Sequence, residues 1–217
     1  MKLKGFLTKK QAALLLSGAL FNLFVYYGSR LVTVNRPHID LSNSIDNAIP
    51  VIPWMILIYY GCYAFWVLNY CLCVKFEKSD CNRVITAHFI GETVCLVFFL
   101  LLPTTMTRPE ITGTGFFDSL LRMTYTIDRA DNLLPSLHCF VSWLCYIGVR
   151  GNKQIPLWYR VTSLVIALSV FVSTVTVKQH VVIDIAVGAA LAEISYALAG
   201  SVARFVRDRI YAHDRHS

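Results

Sequence analysis

A histidine and an aspartate four residues apart, His180 and Asp184, stand near the end of this chain. On a helix that spacing puts both on one face, so the carboxylate can hold one imidazole nitrogen while the other faces outward as a base or nucleophile. A second histidine closes the compact run Pro135-Ser136-Leu137-His138, and an Arg108-Pro109 pair stands before it. A lone histidine in an apolar helix is usually a packing residue. Asp184 at the fourth position and the separate His138 run favour chemistry instead, and together the residues suggest a phosphate site.

Membrane helices must position these groups. Of the 217 residues, 56% are apolar and 15% charged, with a mean hydropathy of +0.55, against roughly 25% charged in soluble domains. A helix crosses ~30 Å of hydrocarbon with about 20 apolar residues. Six stretches qualify, about 11 to 34, 51 to 73, 84 to 103, 136 to 150, 160 to 178 and 181 to 203, the fourth of them short. The expected fold is all-α, a polytopic six-transmembrane-helix bundle forming a single domain over residues 1 to 217. Neither a linker nor an internal repeat is apparent.

Basic residues are retained on the cytoplasmic side. With both termini inside, that side carries Lys2, Lys4, Lys9, Lys10, Lys75, Lys78, Arg83, Arg150, Lys153, Arg160, Arg204, Arg207, Arg209 and Arg215, 14 of the 20 basic residues. The other six are Arg30, Arg36, Arg108, Arg122, Arg129 and Lys178. The formal charge of +7 is then anchoring and attraction to anionic lipid, and no nucleic-acid partner is needed. The first apolar run is too long for a signal peptide and has no small-residue cleavage site after it. The seven cysteines fall within spans or on the cytoplasmic side, where they read as small buried residues. In this orientation the fourth and sixth spans begin at the outer face, and helix N-termini attract phosphate. Pro135 and Ser136 suit a first turn and a cap.

The three motifs resemble those of the type 2 phosphatidic acid phosphatases, or lipid phosphate phosphatases. That family carries Lys, six residues, Arg-Pro; then Pro-Ser-any-His; then Ser-Arg, five residues, His, three residues, Asp. Arg108-Pro109 is similar to the end of the first motif, Pro135-Ser136-Leu137-His138 to the second, and Ser173, His180 and Asp184 to the third. Leu101 stands where the family has its lysine and Thr174 where it has its second arginine. Lys178 is a candidate substitute for one lost cation, and the run Thr176-Val177-Lys178-Gln179-His180 resembles a branch closer to the inositol phosphorylceramide synthases.

The resemblance implies a phosphohistidine on His180, oriented by Asp184, with His138 as general acid and base. Arg108, Ser136, Lys178 and Ser173 would bind phosphate, and neither metal nor cofactor would be required. The partners would be the bilayer and a lipid phosphate or pyrophosphate, hydrolysed on the outer face of the cell membrane. Head-group transfer to an alcohol is the alternative, and a non-catalytic membrane protein or transporter the second. Nothing in the sequence fixes the oligomeric state. His88 with Glu92, and Glu193, are expected to pair helices; Asp118 and Arg122 are expected to form a surface salt bridge on a short amphipathic segment from Gly115 to Leu121. Phe116, Phe117, Leu120, Leu121 and Met123 are expected along one wall of a lipid groove, with the first outer loop, including His38, Asp40 and Asp46, along the other.

Overall fold

A computed structural model describes residues 7–76 and 80–213, with side chains described through residue 203 except at 80–82. Lys2, Lys4, Lys78 and Arg215 lie outside the described residues, as do the side chains of Cys81, Arg204, Arg207 and Arg209.

Among the described residues eight helices follow one another: α1 (Lys9–Thr33, with a π turn at Phe24–Gly28), α2 (Ser44–Ala48), α3 (Pro53–Phe76, its first turn 3-10), α4 (Asp80–Leu101), α5 (Phe116–Ile127), α6 (Leu137–Arg150), α7 (Leu157–Thr176) and α8 (Val182–His213). Five are long and apolar enough to cross a membrane, and α6 is apolar but shorter. The protein is therefore an all-α, multi-pass integral membrane protein. Large apolar side chains such as Leu16, Leu20, Leu31 and Val67 are exposed, as the lipid-facing surface of such a protein requires.

Helix α6 is the hub, packing on α3, α4, α7 and α8. Ten of its fourteen residues are buried, because neighbours surround it. Phe140, Leu144, Cys145 and Ile147 from α6 meet Phe65, Val84 and Leu191 from three of those neighbours in the main core. Two glycines permit the close approach. A Cβ at Gly188 would lie 2.7 Å from the Ser136 carbonyl oxygen, and one at Gly91 would lie 2.2 Å from the Phe140 ring. Gly188 thus lets α8 press against the first turn of α6, which brings their N-terminal ends, and with them His138 and His180, to one end of the bundle.

The loops at this histidine end are laced together. Strands β1 (Ile39–Asp40) and β2 (Thr104–Thr105) pair in parallel, Ile39 with Thr104 and Asp40 with Thr105. Thr104 Oγ1 accepts the amides of Leu133 and Leu134 at 3.1 and 3.2 Å, holding the segment that leads into α6. The expected amphipathic segment is present as α5, with Leu121 and Thr124 on its buried face.

Asp118 and Arg122 do not pair as the sequence suggested. Asp118 accepts the Gly115 amide at the helix start, and Arg122 donates to the Ile111 and Gly113 carbonyls; local backbone groups reach each side chain first. Within the bundle, Glu92 accepts from Asn22 of α1, His88 meets Tyr70 of α3 at 2.8 Å, and Glu193 takes Trp143 at 3.0 Å and two nitrogens of Arg150. These polar residues do pair helices.

Gly188→Ala is expected to cost about 1–3 kcal/mol, because the clash is with backbone and cannot be relieved by a rotamer change. The measurement is the unfolding midpoint in detergent. Gly61→Ala, inside α3 where a Cβ meets nothing within 4 Å, should raise the midpoint, by up to about 1 kcal/mol of stability.

Candidate active site

The turn between α7 and α8 builds the histidine end. Helix α7 stops at Thr176, and the Gln179 amide reaches back to the Thr174 carbonyl at 2.9 Å while the Lys178 amide reaches Val175 at 3.3 Å. These are the 6→1 and 5→2 bonds of a Schellman closure, with Lys178 at the left-handed position (φ 54°) usually taken by glycine. The His180 amide shares the Thr174 carbonyl at 3.1 Å. Asp184, in the first turn of α8, then accepts the Val181 amide at 3.0 Å and meets His180 Nδ1 at 3.2 Å through the same oxygen, Oδ2. A single carboxylate caps the helix and holds the imidazole; the expected pairing is present, but His180 lies in the turn ahead of α8 and the two do not share a helix face.

His138 enters from α6, one residue into the helix. Ser136 caps that helix, its hydroxyl accepting the Cys139 amide at 3.2 Å. The imidazole stacks on Tyr59 with ring centroids 4.5 Å apart, and Tyr63 Oη lies 3.4 Å from its Nε2. The two histidine rings are 5.7 Å apart, centroid to centroid. Both line a cavity of about 170 Å³ together with Gln179, Tyr26 and Tyr27 of α1, Tyr59, Tyr60, Tyr63 and Trp66 of α3, and Asp128, Asp131 and Asn132 of the segment before α6.

Arg108 braces this assembly from behind. Its Nε donates to the Lys178 carbonyl at 2.9 Å, Nη1 to the Asp128 carbonyl at 2.6 Å and Nη2 to Gln179 Oε1, while the guanidinium lies 4.7 Å from the Tyr125 ring centroid. Burial pushes its pKa below the ordinary arginine value, and the charges of Asp128 and Tyr125 oppose that shift. Asp128 in turn accepts from the hydroxyls of Tyr26 and Tyr59 and sits 3.7 Å from Arg30. Asp131 pairs with Arg30 at 3.0 Å; burial raises its pKa and the Arg30 charge lowers it.

The remaining expected phosphate ligands are occupied elsewhere. Lys178 Nζ donates to the carbonyls of Asp46 and Ile49, each at 2.6 Å, because the left-handed backbone turns its side chain onto the loop around α2. Ser173 lies inside α7 with its hydroxyl on the Val170 carbonyl at 2.8 Å. The Ser136 hydroxyl is engaged as a cap. None of the three lines the cavity. Leu101 is 74% exposed at the end of α4, and Thr174 is fully buried with its hydroxyl on the Phe171 carbonyl. Neither residue lines the cavity.

The cavity walls also differ from the expected groove. Phe117, Leu120 and Leu121 pack on Met55, Ile56 and Tyr59 at the start of α3. Asp46 caps α8 by accepting the Val182 amide at 2.8 Å. Aromatic rings from α1 and α3 take the wall instead. Tyr59, Tyr63 and Trp66 fall at i, i+4 and i+7 on one helix face, and that stripe was the legible signal for them. Gln179 and Asn132 carried no such signal.

Apolar helices thus bring two histidines, one held by a carboxylate, to a single cavity in a multi-pass membrane protein. A family model described as the PAP2 superfamily matches residues 30–198, and the chain belongs to that superfamily. No curated protein and no solved structure matches it.

Lys178→Met loses both carbonyl contacts and keeps a side chain at φ 54°, and is expected to cost about 2 kcal/mol of stability. Lys178→Gly loses the same contacts but relieves a left-handed strain of roughly 1 kcal/mol. Denaturant unfolding in detergent should therefore rank wild type above Gly and Gly above Met.

Proposed function

We propose that the chain is a metal-independent lipid phosphate phosphatase that works through a phosphohistidine. The observation that carries this reading is the pairing of Asp184 with Nδ1 of His180, which leaves Nε2 to attack phosphorus, opposite His138 across a shared cavity. His180 Nε2 displaces the lipid oxygen as His138 protonates it. His138 then takes a proton from water, whose oxygen attacks phosphorus and frees His180. Arg108 contributes positive charge from behind Gln179 and holds the turn that carries His180. Lys178 supports the same turn and Ser136 the first turn of α6 through the contacts described above, while the Ser173 hydroxyl stays on Val170 within α7.

A lipid substrate is supported by the cavity's outer wall. Leu23, Tyr27, Tyr60, Tyr63 and Ile127 line it and are also exposed at the protein surface, the first four on membrane-length helices, which supports an acyl chain staying in the membrane while its phosphate reaches the histidines. The split of basic residues supports both termini inside, six spans, and a site on the non-cytoplasmic face of the cell membrane. A cavity several times the volume of one water also supports a second reading, in which an alcohol takes the phosphoryl group and a head-group transferase results. Supplying alcohols to the purified enzyme separates the two, since hydrolysis releases phosphate and transfer yields a phosphodiester lipid.

His180→Ala is expected to lower turnover at least about 1000-fold and to abolish acid-quench trapping of a phosphoenzyme. His138→Ala should lose turnover while still trapping phosphoenzyme from substrates with good leaving groups. Wild-type turnover in His180→Ala would sink the mechanism.

For topology, single cysteines placed at Thr112 and Gly151 in a cysteine-free background should differ on intact cells. A membrane-impermeant thiol reagent should label the first and spare the second, and the reverse pattern would put the site inside.

A further inference from the structure

The two histidines of the cavity are held in different ways. His180 has the Asp184 carboxylate on its Nδ1, whereas among the described residues no carboxylate is paired with His138. A histidine ring turns easily about its last side-chain torsion, whose energy wells are broad, so the direction in which His138 delivers a proton needs another constraint. Helix α3 supplies it with rings. Tyr59 lies nearly parallel to the imidazole, with 4.5 Å between centroids and 29° between planes. Trp66 is tilted, at 5.6 Å and 48°, and Tyr63 stands edge-on, at 6.0 Å and 68°. The Tyr63 hydroxyl, 3.4 Å from Nε2, is beyond the usual hydrogen-bond range of about 2.5–3.2 Å. The stacked face of Tyr59 is therefore the contact that fixes the imidazole plane.

Tyr59 is itself fixed at both ends. It is buried in a cluster with Met55, Ile56, Leu121 and Val177, and its hydroxyl donates to Asp128 Oδ2 at 3.3 Å. The Asp128 carbonyl accepts from Arg108, which also donates to the Lys178 carbonyl in the turn that carries His180. Asp128 is thus joined to both histidines, to one through the Tyr59 ring and to the other through Arg108. One turn further along α6, Ser142 accepts Trp66 Nε1 at 2.8 Å, which sets the register of the α3 rings against His138.

Resting on the phosphohistidine reading, we propose that Tyr59, tethered by Asp128, is a positioning residue that sets the plane in which His138 gives its proton to the departing lipid oxygen. In that step His180 Nε2 bonds to phosphorus, the bond from phosphorus to the lipid oxygen breaks, and the oxygen takes the proton of His138. Water later returns a proton to His138 as its oxygen bonds phosphorus and the N–P bond breaks. Tyr59 exchanges no proton in either step and acts only through His138. An alkoxide is too basic to leave unprotonated, while a nitrophenolate leaves without help, so a misaligned His138 penalises alkyl phosphates and spares aryl phosphates. A loss of packing alone penalises both alike.

The test compares 4-nitrophenyl phosphate with dodecyl phosphate on the purified full chain in detergent, reading kcat/KM, which reports the step that expels the leaving group. His138→Ala sets the scale and should raise the aryl-to-alkyl ratio about 100-fold or more, the contribution of a general acid. Tyr59→Leu should raise it about tenfold or more. Tyr59→Phe keeps the stacked ring and nearly the same volume but loses the tether, and should raise it a few-fold, roughly the scale of one hydrogen bond; it decides the matter if the leucine variant does not fold. In a His138→Ala background Tyr59→Leu should add nothing to the ratio, because the two residues act as one unit. An unchanged ratio in Tyr59→Phe, equal losses on both substrates in Tyr59→Leu, or a further rise in the double variant overturns the positioning role. If the ratio rises in His138→Ala alone, the phosphohistidine reading stands without it. A wild-type ratio in His138→Ala, or no turnover of either substrate and no phosphoenzyme, overturns both.

Discussion

Five residues, 177 to 181, carry the chain from the end of α7 into the start of α8, and in a bilayer every amide and carbonyl of such a reversal must find its partner within the protein. The rest of the histidine end is arranged around that demand. Thr174 and Val175 take the amides of the turn, Asp184 takes the first amide ahead of α8, Asp46 takes the next, and Arg108 donates to the Lys178 carbonyl. Residues that satisfy backbone here are the same ones that fix His180. A carboxylate bound both to the Val181 amide and to an imidazole has little freedom to leave either.

This double use explains which features of the site were legible. The His180/Asp184 pair and His138 could be read because a carboxylate in the first turn of a helix reaches back to the residues just ahead of it, and a helix start places the second. The six apolar stretches agree with the observed helices to within a few residues at most ends, since a hydrocarbon slab imposes their length. Lys178 was harder. Its charge invites a phosphate, but its left-handed backbone places the ammonium on two carbonyls of a loop some 130 residues away in sequence, a contact that no local pattern encodes.

The cavity walls were the least legible part. Nothing local separates the aromatic residues of α1 that line the cavity from those that face outward, and only the packing of α1 on α3 and α4 shows which do. Asp128 depends on three distant partners, Tyr26, Tyr59 and Arg30.

Helix α6 has fourteen residues, about 21 Å at 1.5 Å each, while the hydrocarbon slab is nearer 30 Å. On the six-span reading proposed above, the hub of the bundle is thus shorter than the medium it crosses. Hydrophobic mismatch of this size is met by thinning the bilayer or by sinking the polar end below the head-group plane. His138 is on that end, so under the proposed function the depth at which a phosphate must be presented is set jointly by the protein and by the thickness of the surrounding lipid, and membranes of different thickness offer the same site at different heights.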